Sequence, residues 1–295
     1  MKKNILVSYC YYEKDSSYLD NLIYFLTKAL PWLDTRFSIK YNIVINGSCS
    51  VDLSGLDKFP FVSVLRRANE GFDFGAYDAS ISHEATTNRL ANYDYAFFIN
   101  NSVRGPFLPP YYHGHYFDPF LELFESAPEV HLVGTTINVL ELSEDSQISR
   151  YFSAITGDSS GPYTHVQTQC FCTDRELLRY LIESGFFNIK RTEENQFQEN
   201  FGKLIAEKEV MLSRLVLRVK QWNIACLIPE YQGLDYRNIK SNFNHTAVNG
   251  DACFKGACFN RTLHPYETIF PKTNRGLMNQ EIISLSEPIL RKFRT

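Results

Sequence analysis

"RRANEGFDFGAYDAS" (residues 66–80) joins an apolar run to a stretch of small and apolar residues through two arginines and an Asn-x-Gly-x-Asp-x-Gly cluster. Gly71 and Gly75 permit backbone conformations and close approaches that a Cβ forbids. Arg66 and Arg67 can offer forked donors to phosphate oxygens. Asn69 and Asp73 can hold a loop through bonds to its own backbone, or bind a ribose and a base. Such a loop, leaving a strand and entering a helix, can cradle a nucleotide diphosphate. The competing role is a strand-to-helix turn with Asp73 as its cap. The spacing matches neither G-x-G-x-x-G nor a P-loop, which sets aside the dinucleotide dehydrogenases and the P-loop ATPases.

Residues 61–67, just before the loop, read as a strand, as do 41–47, which end in Asn46-Gly47, and 4–9. Asp15, Ser16 and Ser17 offer helix caps ahead of Leu19, Leu22, Ile23, Leu26 and Leu30 at helical spacing, and Pro31 ends that pattern. Downstream, 93–102 and 130–139 each read as one strand, with a short helix over 117–126 between them. Residues 168–187 read as a strand and then a helix capped by Asp174, with Glu176 in its first turn. A longer helical face carries Phe201, Leu204, Ile205, Leu212, Leu215, Val216 and Val219. Strands alternating with helices predict an α/β fold, a mainly parallel sheet flanked by helices. Its ligands are expected beyond the C-terminal strand ends. Periodicity lapses near residue 232. The expected organisation is therefore a domain over 1–231 and a partly irregular C-terminal extension, 232–295, packed on it.

Composition narrows the class further. A chain of 295 residues with 44% hydrophobic and 21% charged residues is of ordinary globular make-up. The net charge of −3 provides no basic field for nucleic acid. Eighteen Tyr and 23 Phe supply ring surface that suits sugars or bases, or equally a Phe-rich core. The first residues hold too short an apolar run for a signal peptide or a membrane span. Seven cysteines without a CxxC pair signal neither a zinc site nor a disulfide framework, so a reduced, cytoplasmic protein is expected.

The strand "YDYAFFINNS" ends in three neutral hydrogen-bonding residues, Asn100, Asn101 and Ser102, followed by Arg104 and Gly105. Taken with "RRANEGFDFGAYD", this order resembles the nucleotide-sugar half of GT-A glycosyltransferases. In particular it is similar to the rhamnan synthesis protein F type, whose loops read N-x-G-x-D-x-G-A and N-[ND]-S-x-x-G-P. The resemblance covers roughly residues 4–140, with a weaker likeness through 161–178 and 207–227. It implies a GT-A-like fold and a sugar transferase of polysaccharide biosynthesis. The implied donor is a nucleotide diphosphate-sugar and the implied acceptor a glycan or lipid-linked glycan. Peripheral membrane association is compatible with such an acceptor. Tyr9 and the Asn46–Gly47 turn would line the base and ribose pocket. Arg66, Asn69, Gly71 and Asp73 would bind the nucleotide and its diphosphate. Asn100, Asn101 and Ser102 stand where GT-A enzymes carry Asp-x-Asp, so the Mn²⁺ or Mg²⁺ of that family is in question here. Asp73 with His264 is the replacement metal pair; Lys272 and Arg275 are the cationic alternative.

An inverting transfer needs a carboxylate to take the acceptor's hydroxyl proton. Glu209 aligns with the second acid of the helix-opening pair in that family and is the expected base. On a helical wheel it sits at the margin of the apolar stripe, four residues after Ile205 and three before Leu212, while Glu207 points away. Lys208 falls in the stripe, as if this turn faced a cleft. His165 and Gln167 are candidate acceptor ligands; His113 and His115 could form a metal pair, but an aromatic acceptor rim suits them better. A non-catalytic scaffold binding glycan or nucleotide is the rival role, and a nucleotidyltransferase is a weaker one, since "VSYCYYEKD" offers no glycine-rich loop.

Overall fold

The computed structural model describes residues 2–32, 34–141, 146–156, 162–189, 205–275 and 278–294. Its frame is a seven-stranded sheet in the order β3-β2-β1-β4-β8-β5-β9. These strands are β1 (Lys3–Tyr11), β2 (Phe37–Asn46), β3 (Val62–Arg67), β4 (Tyr95–Asn100), β5 (Val130–Gly134), β8 (Cys170–Asp174) and β9 (Asn223–Cys226). β1 pairs in parallel with both β2 and β4, and β2 with β3. β8 runs antiparallel between β4 and β5, and β5 pairs in parallel with β9. The expected α/β class and mainly parallel sheet are found, with one reversed strand.

Alternation along β1 shows how two layers are built. Ile5, Val7, Tyr9 and Tyr11 pack on one face against Leu22 and Phe25 of α1 (Ser16–Lys28). Leu6 and Cys10 pack on the other against Phe74 and Tyr77 of α2 (Phe72–Thr86). A strand buried on both sides carries apolar residues at odd and even positions alike, as "NILVSYCY" does. α1 starts where the sequence placed its cap, with Asp15 accepting from the amides of Ser17 and Tyr18. α3 (Asp118–Ser126) lies on the first face through Phe120, Leu121 and Phe124. α5 (Arg175–Glu183) lies on the second through Leu177, Leu178 and Leu181, capped by Asp174 as expected.

Three expectations change. The single strand over 130–139 is two, β5 and β6 (Ile137–Leu140), because the chain leaves the main sheet at Thr135 and Thr136. There Thr135 donates its amide to Cys170 O, Gln167 donates to Thr136 O, and β6 pairs antiparallel with β7 (Tyr163–Val166). Gly134 permits the fold-back, since a Cβ on it would lie 2.3 Å from Val166 Cγ1. The long helix is α-helical only over Met211–Arg214, with π-helical turns over Ile205–Val210 and Leu215–Val219. Wider winding changes its buried face: Val210, Leu212, Val216 and Leu217 are buried, and Val219 is 60% exposed. Phe201 and Leu204 lie outside the described residues. Two helices, α4 (Gln147–Thr156) and one over Met278–Arg294, are not signalled by the sequence pattern.

The C-terminal residues have little regular structure before Met278, yet Tyr236, Ala252, Cys258 and Leu263 join the core beneath β5 and β8. All seven cysteines are free thiols. Among the described residues no helix is long and apolar enough to cross a membrane.

Candidate functional site

The parallel strands end along one edge, and β8 begins there, with Cys170 opposite Ile99. A cleft of about 510 Å³ opens at this edge. Asn46 enters from the end of β2, Cys10 and Tyr12 from the end of β1, and Asn100, Asn101 and Ser102 from the end of β4. Asn69, Phe72 and Asp73 come from the loop into α2, Thr168 and Gln169 from the turn into β8, and Glu209 from the first π-helical turn. Lys272, Asn274 and Arg275 close it from the C-terminal segment.

The loop after β3 is shaped from within. The Arg67 guanidinium donates to Asn46 Oδ1 at 2.8 Å and to Glu70 O at 2.7 Å. Asn46 Nδ2 in turn donates to Phe72 O at 2.9 Å. Gly71 takes the left-handed conformation at φ +68°, the region where a Cβ is strained. Gly75 lies so close to Glu70 O that a Cβ would come within 2.0 Å of it. The turn delivers Asp73 to the cleft at the start of α2.

Asp73 Oδ2 accepts from Asn100 Nδ2 at 3.0 Å, and its Oδ1 from the Phe74 amide at 3.1 Å. Burial pushes the Asp73 carboxyl up to about 6; the Asn100 bond works against the rise and the nearby Glu209 charge adds to it. Asn100 Oδ1 accepts from the amide and hydroxyl of Ser102, at 3.1 and 2.6 Å. Asn101 clamps the backbone of Tyr12, donating to its carbonyl at 2.9 Å and accepting from its amide at 3.3 Å. Glu209 Oε1 accepts from the Thr168 amide at 3.1 Å, which ties the helix to the turn entering β8.

The cations arrive through a long-range pairing. Val103 and Lys272 form an antiparallel bridge, and the Ser102 carbonyl accepts from both the amide and hydroxyl of Thr273, at 2.9 and 3.0 Å. Arg275 Nε donates to Asp251 Oδ2 at 3.1 Å, and its guanidinium lies over the Phe254 ring. The Lys272 charge is close enough to Asp251 to favour its ionised form. Acidic residues therefore share the cleft with three cations, Lys14, Lys272 and Arg275.

Of the residues singled out from sequence, Asn46, Asn69, Asp73, Asn100, Asn101, Ser102, Glu209, Lys272 and Arg275 line this cleft together. Gly71 shapes the loop without lining it. Tyr9 does not reach the cleft: it is buried in the other layer, stacked on Phe25 with ring centroids 4.2 Å apart. Arg66 is exposed outside the cleft, and Arg67 is spent on the loop itself. His165 and Gln167 are buried; His165 Nδ1 contacts Tyr163 O, and Gln167 Oε1 accepts from Thr136 Oγ1.

His264 is a correction. Its Nδ1 accepts from the Tyr266 amide and Glu267 reaches back to its own amide, a capping box for the Pro265–Thr268 helix, and it does not line the cleft. The Asp73–His264 metal pair is therefore not assembled. His115 is likewise interior, bonded to Trp32 O and packed on Phe37 and Phe117, and burial lowers it to about 4. Tyr12, Tyr18, Lys14, Thr168 and Gln169 line the cleft without having been singled out. Thr168 and Gln169 sit in the turn before β8, where strand alternation gives no signal for either.

No family model matches this chain, and no curated protein does. Solved structures do. It is similar to the mannosyltransferase PcManGT from Pyrobaculum calidifontis, in complex with GDP-Man and Mn²⁺, at 11% identity and TM-score 0.36, over 61% of this chain and 47% of that one. Mouse xyloside xylosyltransferase 1 matches at 10% identity and TM-score 0.38, over 77% and 86%. The mannosyltransferase Ktr4p from S. cerevisiae, in complex with GDP, matches at 11% and 0.33, over 63% and 62%. The chain thus spans about half the length of the first of these.

Proposed function

We propose that this chain is a GT-A-like glycosyltransferase that moves a sugar from a nucleotide diphosphate-sugar to a glycan or lipid-linked glycan. The observation that carries this is one cleft holding Glu209 and Asp73 together with Lys272, Arg275 and Lys14, at the edge where parallel sheets of this class bind ligands. Tyr12, Tyr18 and Phe72 offer ring surface for a base or sugar. The cations suit a diphosphate, and the side-chain amides suit ribose and sugar hydroxyls.

The chemistry proposed is a single inverting displacement. The acceptor hydroxyl oxygen bonds to the anomeric carbon as the bond from that carbon to the diphosphate oxygen breaks. Glu209 takes the hydroxyl proton. Lys272 and Arg275 stabilise the charge that develops on the departing nucleoside diphosphate.

The donor set does not fit a resident divalent ion. Asp73 Oδ2 receives an amide N–H from Asn100, an orientation that presents hydrogen rather than oxygen to a metal, and Asn100 Oδ1 is held by Ser102. Among the described residues no group of three or more His, Cys, Asp or Glu could hold an ion. These amides in place of carboxylates also favour the second reading, a scaffold that binds a nucleotide or glycan without turnover.

Thermal unfolding with UDP-, GDP-, dTDP- and CMP-linked sugars, in Mn²⁺ and in EDTA, tests the proposal. A ligand at 100 times its dissociation constant adds about 2.7 kcal/mol of stability. The expected result is a shift with one nucleotide that survives EDTA and shrinks when Lys272 and Arg275 are changed to Ala. No shift with any nucleotide would overturn it. Binding without sugar transfer to any glycan acceptor would leave the scaffold.

A further inference from the structure

Two side-chain oxygens of residues lining the cleft are buried without a hydrogen-bond partner among the described residues: Asn69 Oδ1 and Gln169 Oε1. Gln169 is 3% exposed. An unsatisfied buried acceptor is costly, and at a ligand cleft it calls for a donor from the ligand.

The orientation of the Gln169 amide is determined by a chain of bonds. Burial works to raise the Asp251 carboxyl, but Lys272, the Cys253 amide, Arg275 and a side-chain bond from Gln167 hold it below the usual carboxylate range. An ionised Asp251 only accepts, so Gln167 turns its NH₂ toward it. Gln167 Oε1 is then the acceptor of the Thr136 hydroxyl, at 2.7 Å. With its proton committed there, Thr136 Oγ1 offers a lone pair to Gln169 Nε2, at 2.9 Å, and Thr135 Oγ1 takes the second N–H at 3.0 Å. Both Gln169 donors are used inside the protein, which leaves Oε1 as its free valence.

Resting on the transferase reading, we propose that Gln169 is a specificity residue whose Oε1 accepts a hydrogen bond from a hydroxyl of the transferred sugar. Asp251, Gln167 and Thr136 are positioning residues that hold the amide in that sense. A hydroxyl is the donor that a neutral sugar supplies, whereas a diphosphate has only acceptors to offer and would meet Oε1 unfavourably. A ribose hydroxyl is the competing donor, and it would show as equal losses for the nucleoside diphosphate and its sugar conjugate. Asp251 also bonds Arg275, so one buried carboxylate positions both a diphosphate cation and the sugar reader.

The test compares the nucleoside diphosphate with its sugar conjugate, for example UDP against UDP-glucose or GDP against GDP-mannose, by calorimetric titration. Gln169→Met keeps the length of the side chain and removes the acceptor. It is expected to weaken the sugar conjugate about five- to tenfold while leaving the free diphosphate unchanged. Thr136→Val should give the same selective loss, and Thr136→Ser, which keeps the hydroxyl, should bind as wild type. Unfolding midpoints without ligand identify a variant that fails to fold, in which case the Thr136 pair decides. Equal losses for both ligands, or no loss for the conjugate, would overturn the role of Gln169 while leaving the transferase reading standing. A wild-type protein that binds neither ligand would instead sink that reading, and this proposal with it.

Discussion

Glu209 and Asp73 share a cleft but sit in different surroundings, and each should respond differently to loss of its charge. Glu209→Gln retains an oxygen for the Thr168 amide and loses the ability to take a proton. Sugar transfer is expected to fall about 10²–10⁴-fold with donor affinity retained, measured as turnover beside equilibrium titration. An equal fall in affinity would assign Glu209 to donor binding instead. Asp73, pushed up to about 6, binds more protons folded than unfolded between that value and an unfolded pKa of about 3.9. Its contribution is therefore fully present below about pH 4 and lost as pH rises through about 6. Asp73→Asn should be more stable than wild type at pH 7.5, by on the order of 2 kcal/mol, and equal to it near pH 4. Urea unfolding at the two pH values checks this; equal stability at both would show that the carboxyl is not desolvated. Asn69, Asp73 and Asn100 were legible as cleft residues because they lie at a strand end that the apolar pattern marks, or in the glycine-rich loop and first helical turn beyond one. Tyr9 and Arg66 were misplaced by a single residue of strand parity, which sends neighbours to opposite faces: Cys10 lines the cleft, and Arg67 turns inward to brace the loop.

At the scale of the element, the loop from β3 into α2 is built around close contact, so its second glycine is a matter of space. Gly75→Ala would place a Cβ 2.0 Å from Glu70 O, against backbone that Arg67 also holds. It is expected to cost about 1–3 kcal/mol and to weaken nucleotide binding, read by denaturant unfolding and titration together. Unchanged unfolding would mean that the loop can open without penalty. The 205–219 helix illustrates the opposite limit of legibility. Its apolar spacing was plain in the sequence, but the wheel assumed 3.6 residues per turn. The chain winds as π-helix at both ends, so the buried positions drift to Val210 and Leu217 while Val219 is left outside. This stretch also receives the Val166 amide on Ser213 Oγ and the Thr168 amide on Glu209, long-range bonds that no local propensity records.

Across the whole molecule, the cations of the cleft depend on residues far apart in the chain. Arg104, only 4% exposed, donates to Asn21 Oδ1 of α1 and to Ser286 Oγ of the C-terminal helix, each at 2.8 Å. Its own amide donates to Pro271 O, beside the segment that carries Lys272 and Arg275. Arg104→Met should cost about 3–5 kcal/mol, because the buried polar groups around it lose their donor. It should also weaken nucleotide binding as the C-terminal segment loosens; denaturant midpoints and titration measure the two effects, and a loss below about 1 kcal/mol would refute the clasp. By itself the sequence determined the α/β class, the strand edge where ligands gather, and the polar loops at that edge, because hydrophobic periodicity and glycine placement are local properties. Only the tertiary structure decided that β8 reverses, that residues 137–140 leave the main sheet, and that His165 and Gln167 turn inward while Gln169 lines the cleft. It alone brought Lys272 and Arg275 into the cleft that Asp73 lines. Those outcomes follow from pairings across tens to hundreds of residues, whose energies come from shared burial and long-range hydrogen bonds that no local stretch encodes.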